Sequence, residues 1–328
     1  MSLDPAVAAV RLAVRRTLAA ADLAPATPVV VACSGGADSL ALLTATVFEG
    51  HKDALRVVGA VVDHGLQDGS GEHTDRVVAQ MAGLGVDETL AARVTVEASG
   101  QGLEAAAREA RYAVLEQVAA SVRAPLVLLG HTLDDQAETV LLGLARGSGG
   151  RSIAGMRPAF GVFARPLLGT TRAQTEQACA AQGVEPWRDP HNTDPRFTRS
   201  RVRATVLPTL ERELGPGVTE TLARTAEQLR PDMEALDDIA EQHERAARDG
   251  DGWAVTALLR PPRAITTRVL RLAALRSGAT GSELFHVHVT ALLDLVEGRL
   301  RGEVQLPGLV TAHLLDGRLR FRPTAVRG

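Results

Sequence analysis

The 328-residue sequence contains only two cysteines and one lysine, and each shortage excludes a kind of site. Cys33 and Cys179 are far apart and form no Cys-x-x-Cys pair, so zinc and iron–sulfur centres are not indicated. The isolated thiols also give no sign of disulfide use, which suits a reducing compartment. Lys52 is the one lysine among 36 basic residues, and this excludes a phosphate-binding loop of the kind that depends on lysine.

Long uncharged runs are missing as well. No stretch of 18 residues lacks charged side chains, so no membrane span is expected. The segment MSLDPAVAAVRLAVRR is interrupted by arginines, lacks a signal-peptide cleavage pattern and predicts an amphipathic helix. The formal net charge of −3 does not by itself indicate a nucleic-acid-binding protein. We therefore expect a globular protein of the cytoplasm.

Apolar runs and helical patterns alternate from residue 28 to about residue 190. Five runs predict strands, at 28–34, 55–64, 88–96, 124–131 and 162–168. Such alternation is typical of parallel βαβ units with right-handed crossovers. The sequence therefore predicts an α/β fold with a doubly wound, Rossmann-like parallel sheet.

The pattern changes after about residue 185, where prolines and arginines interrupt it, and it is mostly helical beyond residue 217. We therefore predict an α/β domain over residues 1–215 and a smaller, mostly helical domain over residues 216–328, which ends in a short hairpin. Residues 252–328 contain eleven arginines and five acidic residues. This basic tail either contacts phosphates or forms an ordinary solvated surface.

The first predicted strand ends in Ser-Gly-Gly-Ala-Asp-Ser. Glycines bring backbone N–H groups close to an anion, and the next helix points its N-terminus at the same place. Serine hydroxyls donate to phosphate oxygens, whereas a carboxylate suits phosphate only with a cation between them, so Asp38 is assigned to Mg²⁺. The plain alternative is a structural strand-to-helix turn. The predicted nucleotide-binding residues of this loop are Ser34, Gly35, Gly36, Ala37, Asp38 and Ser39.

Two further strand ends carry polar residues at the same expected edge of the sheet. VVDHGL places His64 there, either as a turn cap or beside an adenine ring. GHTLDDQAET places Asp134 and Asp135 at a helix start, either as ordinary capping residues or as a negative site for Mg²⁺ or a cationic substrate. Glu138 shares a helix face with Asp134.

Arginines are available to replace the missing lysine. Arg108 and Arg111 lie on one helix face, where they either pair with neighbouring glutamates or reach a triphosphate. Residues 196–203 include four arginines, a density that suits a polyphosphate or an RNA backbone.

The Ser-Gly-Gly-x-Asp-Ser loop resembles the pyrophosphate-binding loop of the N-type ATP pyrophosphatases (PP-loop ATPases), which cleave ATP between its α- and β-phosphates. Several stretches in one order are similar to the tRNA(Ile)-lysidine synthase family, namely 34–39, 63–66, 104–112, 131–139, 146–156, 165–168 and 189–208. His191 departs from that pattern, since the family usually has serine or threonine there. Longer members also carry a β-rich domain after the helical one, for which this sequence leaves no room.

This resemblance implies a ligase that uses ATP and Mg²⁺ and acts on an isoleucine tRNA with a CAU anticodon. The wobble cytidine is first adenylated, and the ε-amine of free L-lysine then displaces AMP to give lysidine. The catalytic residues implied by matching positions are Asp38, Arg108, Asp134, Asp135, Arg201 and Arg203, with Asp135 slightly favoured over Asp134 as the base. The C-terminal domain is expected to contact the tRNA, and the sequence leaves open whether the chain forms a homodimer.

Two other readings compete with this one. Another ligase with the same ATP chemistry would carry different partner residues, such as the Cys-x-x-Cys pairs of a tRNA thiolase or the N-terminal cysteine of a glutamine-dependent synthetase. Residue 2 here is Ser2. A nucleotide-binding regulator without catalysis would need neither the carboxylates at 134–135 nor the arginines at 199–203.

Overall fold

A computed structural model describes residues 3–63, 70–94, 103–147, 149–187 and 194–324. The chain divides into two compact units. The first comprises Met1–Leu142 and Gly155–Thr225, and the second comprises Gly143–Ala154 and Ala226–Gly328. The functional roles predicted for residues 1–215 and 216–328 stay predictions.

The first unit has the predicted α/β architecture. Its strands are β1 (Pro28–Ala32), β2 (Arg56–Asp63), β3 (Glu88–Arg93), β4 (Leu126–Leu129), β5 (Ala159–Phe160) and β6 (Phe163–Ala164). Its helices are α1 (Pro5–Ala21), α2 (Ala37–Lys52), α3 (Ser70–Gly83), α4 (Leu103–Val122), most of α5 (Leu133–Ala145), α7 (Arg172–Ala181), α8 (Thr198–Arg201) and α9 (Leu207–Leu214). A π-helical segment, Val202–Val206, joins α8 to α9. Within the described ranges, no helix is both long and apolar enough to cross a membrane.

The strand order of this sheet predicts the position of a ligand-binding crevice. The order is β3-β2-β1-β4-β6-β5, and β1 pairs in parallel with β2 on one side and with β4 on the other. The connections therefore leave β1 and β4 in opposite directions, which opens a crevice at the carboxyl ends of these strands. The loop after β1 and the residues after β4 meet at that crevice.

Both faces of the sheet are covered, as the continuous apolar sequence of β1 requires. Val29 and Val31 belong to a core shared with α1, α2 and α7, whereas Val30 belongs to a second core with Leu115 of α4 and with Phe163. The alternation of side chains along a strand places neighbouring valines in different layers. The resulting three layers hold the crevice edge in place.

The fifth predicted strand is much shorter than expected. Only Phe163–Ala164 pairs with β4, and Pro166–Gly169 forms a 3-10 helix instead. Proline supplies no N–H for a strand ladder, so the strand ends before it. The two-residue β5, which the sequence did not indicate, pairs antiparallel with β6.

The second unit is helical and carries a larger sheet than the predicted hairpin. Its helices are α6 (Gly150–Ile153), most of α10 (Val218–Ala247), α11 (Val255–Leu258), α12 (Arg263–Arg276) and α13 (His286–Val296). Its strands are β7 (Arg248–Asp249), β8 (Gly252–Ala254), β9 (Glu303–Leu306), β10 (Val310–Leu315) and β11 (Arg318–Pro323), in the antiparallel order β7-β8-β11-β10-β9. The predicted hairpin is β10–β11, turning at Asp316 and Gly317, both with positive φ.

A buried carboxylate lies in the core of this unit. Glu244 is fully buried and accepts a hydrogen bond from the Trp253 indole at 2.9 Å. It also pairs with Arg276 and with Arg248, the latter at 3.4 Å. These three donors compensate the charge that burial would otherwise penalise.

Candidate active site at the carboxyl edge of the sheet

The loop between β1 and α2 is shaped for close approach to an anion. Gly35 has a φ of +80°, a backbone conformation that favours glycine. A Cβ there would also lie 2.8 Å from the Val77 Cγ2 atom, so the available space excludes a larger residue as well. Gly36 is the N-cap of α2 and provides no side-chain hydrogen bond to the first turn. The first N–H groups of α2, together with the helix dipole, therefore face the crevice as an anion site.

The two serines of the loop have different surroundings. Ser39 is buried, and its hydroxyl donates to the Gly36 carbonyl at 2.9 Å while accepting from the Ser34 N–H at 3.2 Å. Ser34 is exposed, with its hydroxyl 3.3 Å from that of Ser39. Ser39 thus fixes the shape of the loop, and Ser34 is the serine whose hydroxyl remains open to solvent.

An aromatic pair that sequence reasoning missed supports the loop from outside. The backbone N–H of Trp187 donates to the Gly35 carbonyl at 2.8 Å, and the His73 Nε2 atom lies 3.1 Å from the Ser34 carbonyl oxygen. The two rings contact each other with centroids 3.8 Å apart. The two side chains lie more than 100 residues apart in sequence, so no local pattern indicated their contact.

The end of β4 packs directly on this loop. A Cβ on Gly130 would lie 3.0 Å from both the N and Cα atoms of Ser39, so a larger residue would have to push the backbone of the loop away. Helix α5 begins three residues later and turns its first carboxylates toward the same edge. The order of strands thus brings the motif at 131–139 beside the motif at 34–39, as the sequence predicted.

The carboxylates of α5 differ in exposure. The side chain of Asp134 is 27% exposed, that of Asp135 is 10% exposed and that of Glu138 is fully buried. The Oδ2 atom of Asp135 accepts from the N–H and the hydroxyl of Thr132, at 2.8 and 3.1 Å. Asp135 and Glu138, spaced by three residues, form one buried acidic pair on a single face of the helix.

Three arginines surround this acidic pair. Arg199 donates from Nε to Glu138 at 2.7 Å and from Nη2 to Asp135 at 3.1 Å. Arg203 makes the same two kinds of contact at 2.7 and 3.3 Å. Arg172 donates from Nη2 to Asp135 at 3.2 Å and lies 3.5 Å from Glu138. Each buried carboxylate is therefore shared among three guanidinium groups.

Helix α7 forms a third wall of the site, which sequence reasoning missed. Thr171 caps it with Gln174 in a capping box, so the helix starts at the crevice. The Arg172 N–H donates to Asp134 at 2.7 Å, and its Nε atom lies 3.6 Å from the Oδ2 atom of Asp38. The Thr175 hydroxyl donates to the other oxygen of Asp38. The capping box was the available signal, but it marks only a helix start and no chemistry.

Burial and charge shift two pKa values in opposite directions. Burial raises the pKa of Asp38 to about 6, although Thr175 and Arg172 act against this shift. Burial also acts to raise the pKa of Asp135, but Arg199 and Arg172 outweigh it, and the pKa of Asp135 lies below its usual value. Asp135 is therefore a firmly ionised carboxylate, whereas Asp38 is short of positive charge.

His131 is neutral at physiological pH, because burial first and the nearby Arg165 guanidinium second lower its pKa to about 4. Arg165 donates from Nε to the Nδ1 atom of His131 at 3.3 Å and from Nη2 to the Tyr112 hydroxyl at 3.1 Å. With Nδ1 acting as an acceptor, the proton of the neutral ring is on Nε2.

Some predicted site residues lie apart from this cluster. Arg201 donates to the carbonyls of Pro195 and Arg196 at 2.7 and 3.0 Å, so its guanidinium serves its own loop and not the acidic pair. Arg108 is exposed, with its guanidinium carbon 5.7 Å from the centre of the Tyr112 ring. His64 lies outside the described residues.

The residues at the loop fit a magnesium ion that is bound chiefly by phosphates. No group of three or more potential ligands among His, Cys, Asp and Glu occurs within the described part of the chain. Mg²⁺ in nucleotide sites needs only one or two carboxylates beside phosphates and water. Asp38 meets this need, since it is a carboxylate at the anion site whose burial favours an added cation.

Comparisons with known proteins agree with this geometry. The PP-loop domain family matches residues 11–210. The tRNA(Ile)-lysidine synthase of Thermobifida fusca is 51% identical over 96% of this chain and 97% of its own length, and that of Streptomyces coelicolor is 47% identical over 98% and 99%. Among solved structures, the U34-tRNA thiolase NcsA from Methanococcus maripaludis shares the fold, with a TM-score of 0.56 and 18% identity over 68% of this chain and 79% of that one. The chain belongs to the tRNA(Ile)-lysidine synthase family of PP-loop proteins, whose members are ATP-using ligases.

Proposed function

We propose that this protein ligates free L-lysine to the wobble cytidine in the CAU anticodon of an isoleucine tRNA, with ATP as the energy source. The observation that carries the proposal is one cluster in which Arg172 contacts both Asp38 of the anion loop and the acidic pair Asp135–Glu138. A reaction between a polyanionic nucleotide and a cationic amine needs both kinds of site side by side.

The triphosphate of ATP binds at the loop after β1 in this proposal. The N–H groups at the start of α2 and the Ser34 hydroxyl donate to its oxygens, and Asp38 holds Mg²⁺, which neutralises phosphate charge when bound. The crevice between β1 and β4 leaves the nucleoside at the carboxyl edge of the sheet. His131 lies a few residues before Asp135 and is neutral, so it does not repel a phosphate bound in the crevice.

Lysine binds through ammonium–carboxylate contacts to the Asp135–Glu138 pair. These carboxylates are buried, and a buried charge is retained only with a counter-charge. The contacts favour Asp134 and not Asp135 as the proton acceptor for the reacting amine. Asp135 accepts five hydrogen bonds from Thr132 and the arginines, whereas Asp134 is more exposed and accepts one from the Arg172 N–H.

The reaction then has two steps. The oxygen on ring carbon 2 of the cytidine attacks the α-phosphorus of ATP, and the bond to the β-phosphate oxygen breaks to release pyrophosphate. The deprotonated ε-amine attacks ring carbon 2, and the carbon–oxygen bond breaks to release AMP. Arginines near the transferring phosphate stabilise the charge that develops on it, as in other phosphoryl-type transfers.

The second unit is proposed to contact the tRNA. Nine arginines of this unit pair with its own acids, namely Arg151, Arg245, Arg248, Arg268, Arg276, Arg299, Arg318, Arg320 and Arg322. Arg260, Arg263 and Arg301 are exposed and form no ion pair within the described residues. These three offer guanidinium groups to a phosphate backbone without breaking a contact of the protein.

The test is release of labelled pyrophosphate from ATP, with and without lysine and an unmodified isoleucine tRNA that bears the CAU anticodon. We expect release to require this tRNA, and formation of AMP and lysidine to require lysine. Release without this tRNA, or incorporation of another amine, would contradict the substrate assignment while leaving the ATP chemistry intact.

A further inference from the structure

We infer that ATP and lysine bind with positive coupling, because arginines that neutralise the acidic pair transfer to the triphosphate when ATP binds. This inference rests on the proposed function. It concerns how the two sites communicate and not what they bind.

Every carboxylate oxygen of the acidic pair accepts a hydrogen bond in the structure. The Oδ1 atom of Asp135 accepts from Arg172, Arg199 and Arg203 at 3.2, 3.1 and 3.3 Å, and its Oδ2 atom is taken by Thr132. Each Glu138 oxygen accepts from an arginine Nε atom at 2.7 Å. Three of the four carboxylate oxygens therefore accept from a cationic donor, and the fourth accepts twice from Thr132. An incoming ammonium group finds no free oxygen and has to displace a donor.

Displacement is unfavourable while no other anion is available. Removing one guanidinium from the buried carboxylate pair leaves the two carboxylates with less compensating positive charge. The displaced guanidinium also stays beside the two remaining cations. A bound triphosphate supplies new anionic acceptors a short distance away, since Arg172 already links the pair to Asp38 of the loop. Arginine forms bidentate contacts with phosphate as readily as with carboxylate, so the transfer conserves hydrogen bonds.

The contacts identify Arg199 and Arg203 as the residues that move. Arg172 is anchored by its backbone N–H, which donates to Asp134, and its guanidinium already contacts Asp38. Its side chain is also the least exposed of the three, at 20%. Arg199 and Arg203 are 30% exposed and have the acidic pair as their charged contacts. Arg203 also lies in the π-helical segment, a form of helix that recurs at functional sites.

Calorimetric titration of the full chain with L-lysine tests the inference. One series contains the protein alone, and the other contains Mg²⁺ and α,β-methylene-ATP, in which the bond to be cleaved is blocked. We expect the affinity for lysine to rise by at least about fivefold with the analogue, and the affinity for the analogue to rise by the same factor with lysine. Equal lysine affinity in both series would overturn the coupling but leave the proposed function standing. No lysine binding in either series would instead contradict the assignment of the acidic pair as the lysine site.

A variant separates the arginine transfer from other sources of coupling. In Arg199→Met, one competing cation is already gone, so the protein without nucleotide should bind lysine more tightly than the wild type and the coupling factor should fall toward 1. Arg212→Met, which removes an exposed arginine of α9, is the matched control and should leave the coupling factor unchanged. Weaker lysine binding by Arg199→Met without nucleotide, with the coupling intact, would refute the transfer. Arg203→Met gives a second test if the first variant folds poorly.

Discussion

Replacing Asp38 by asparagine should make the ligand-free protein more stable while abolishing pyrophosphate release. The carboxylate lies in the anion loop with its side chain 24% exposed, and burial raises its pKa to about 6. Asparagine keeps an oxygen that can accept from Thr175 but carries no charge. The variant therefore removes the penalty of a partly buried carboxylate and, with it, the ligand proposed for Mg²⁺.

The size and the pH dependence of the gain follow from the same pKa. The difference between the usual aspartate pKa of 3.8 and a pKa of about 6 corresponds to about 3 kcal/mol, at about 1.4 kcal/mol per pH unit. Solvent contact reduces this, so we expect a gain of about 1 to 3 kcal/mol in the free energy of unfolding. Because the folded-state pKa is raised, the penalty is fully present above pH 6 and disappears as the pH falls below 3.8.

Urea unfolding of the wild type and Asp38→Asn, in buffers with a chelator and without nucleotide, measures this difference. The gain should be present at pH 8 and should shrink toward zero at pH 4. Asp75→Asn, an exposed acid on α3, is the matched control and should change little at either pH. No gain at pH 8 would refute the burial argument, and an equal gain at both pH values would show that ionisation of Asp38 is not its cause.

Four further substitutions test the geometry. Gly130→Ala should lower the apparent affinity for ATP by about tenfold and the free energy of unfolding by about 1 to 3 kcal/mol, because the new Cβ meets the backbone of Ser39 at 3.0 Å. Steady-state kinetics and unfolding midpoints measure the two effects, and unchanged values would refute the close approach. In the tRNA-dependent assay, Arg203→Met should reduce pyrophosphate release by about a hundredfold or more, and Arg201→Met should reduce it much less. Equal losses would contradict the placement of Arg201 outside the cluster. Glu244→Ala should destabilise the second unit by about 3 to 5 kcal/mol in thermal unfolding, since it leaves two arginines and an indole without their buried acceptor. A change under about 1 kcal/mol would refute the stabilising role of Glu244.

The sequence was sufficient to predict the sheet and the two motifs at its edge. Apolar runs separated by helical patterns specify parallel strands, and glycines after a buried strand specify a turn at the carboxyl edge. The sequence was not sufficient to predict contacts between residues that lie far apart along the chain. The support of the loop by His73 and Trp187, and the approach of Gly130 to Ser39, depend on tertiary packing that leaves no periodic signal.

The preference for Arg201 over Arg199 shows where motif matching and helix geometry differ. Matching to the family pattern selected Arg201 and Arg203, two residues apart. Residues four apart share a helix face, whereas residues two apart do not. Arg199 and Arg203 accordingly reach the same carboxylate, Glu138, and Arg201 turns back to the carbonyls of its own loop. The spacing rule alone would have paired the correct arginines once a helix had been assigned there.

The charges of the cluster explain why Asp38 differs from the other acids. Four carboxylates (Asp38, Asp134, Asp135 and Glu138) face three guanidinium groups, so one negative charge is left without a cationic partner of its own. The arginines concentrate on the Asp135–Glu138 pair, and Asp38 receives only a 3.6 Å contact from Arg172. Burial raises the pKa of Asp38, and the contacts with Thr175 and Arg172 do not offset that shift. Because Asp38 lies at the anion loop itself, the divalent cation proposed to arrive with the triphosphate would add positive charge beside a weakly compensated, buried carboxylate, where the phosphates also need it.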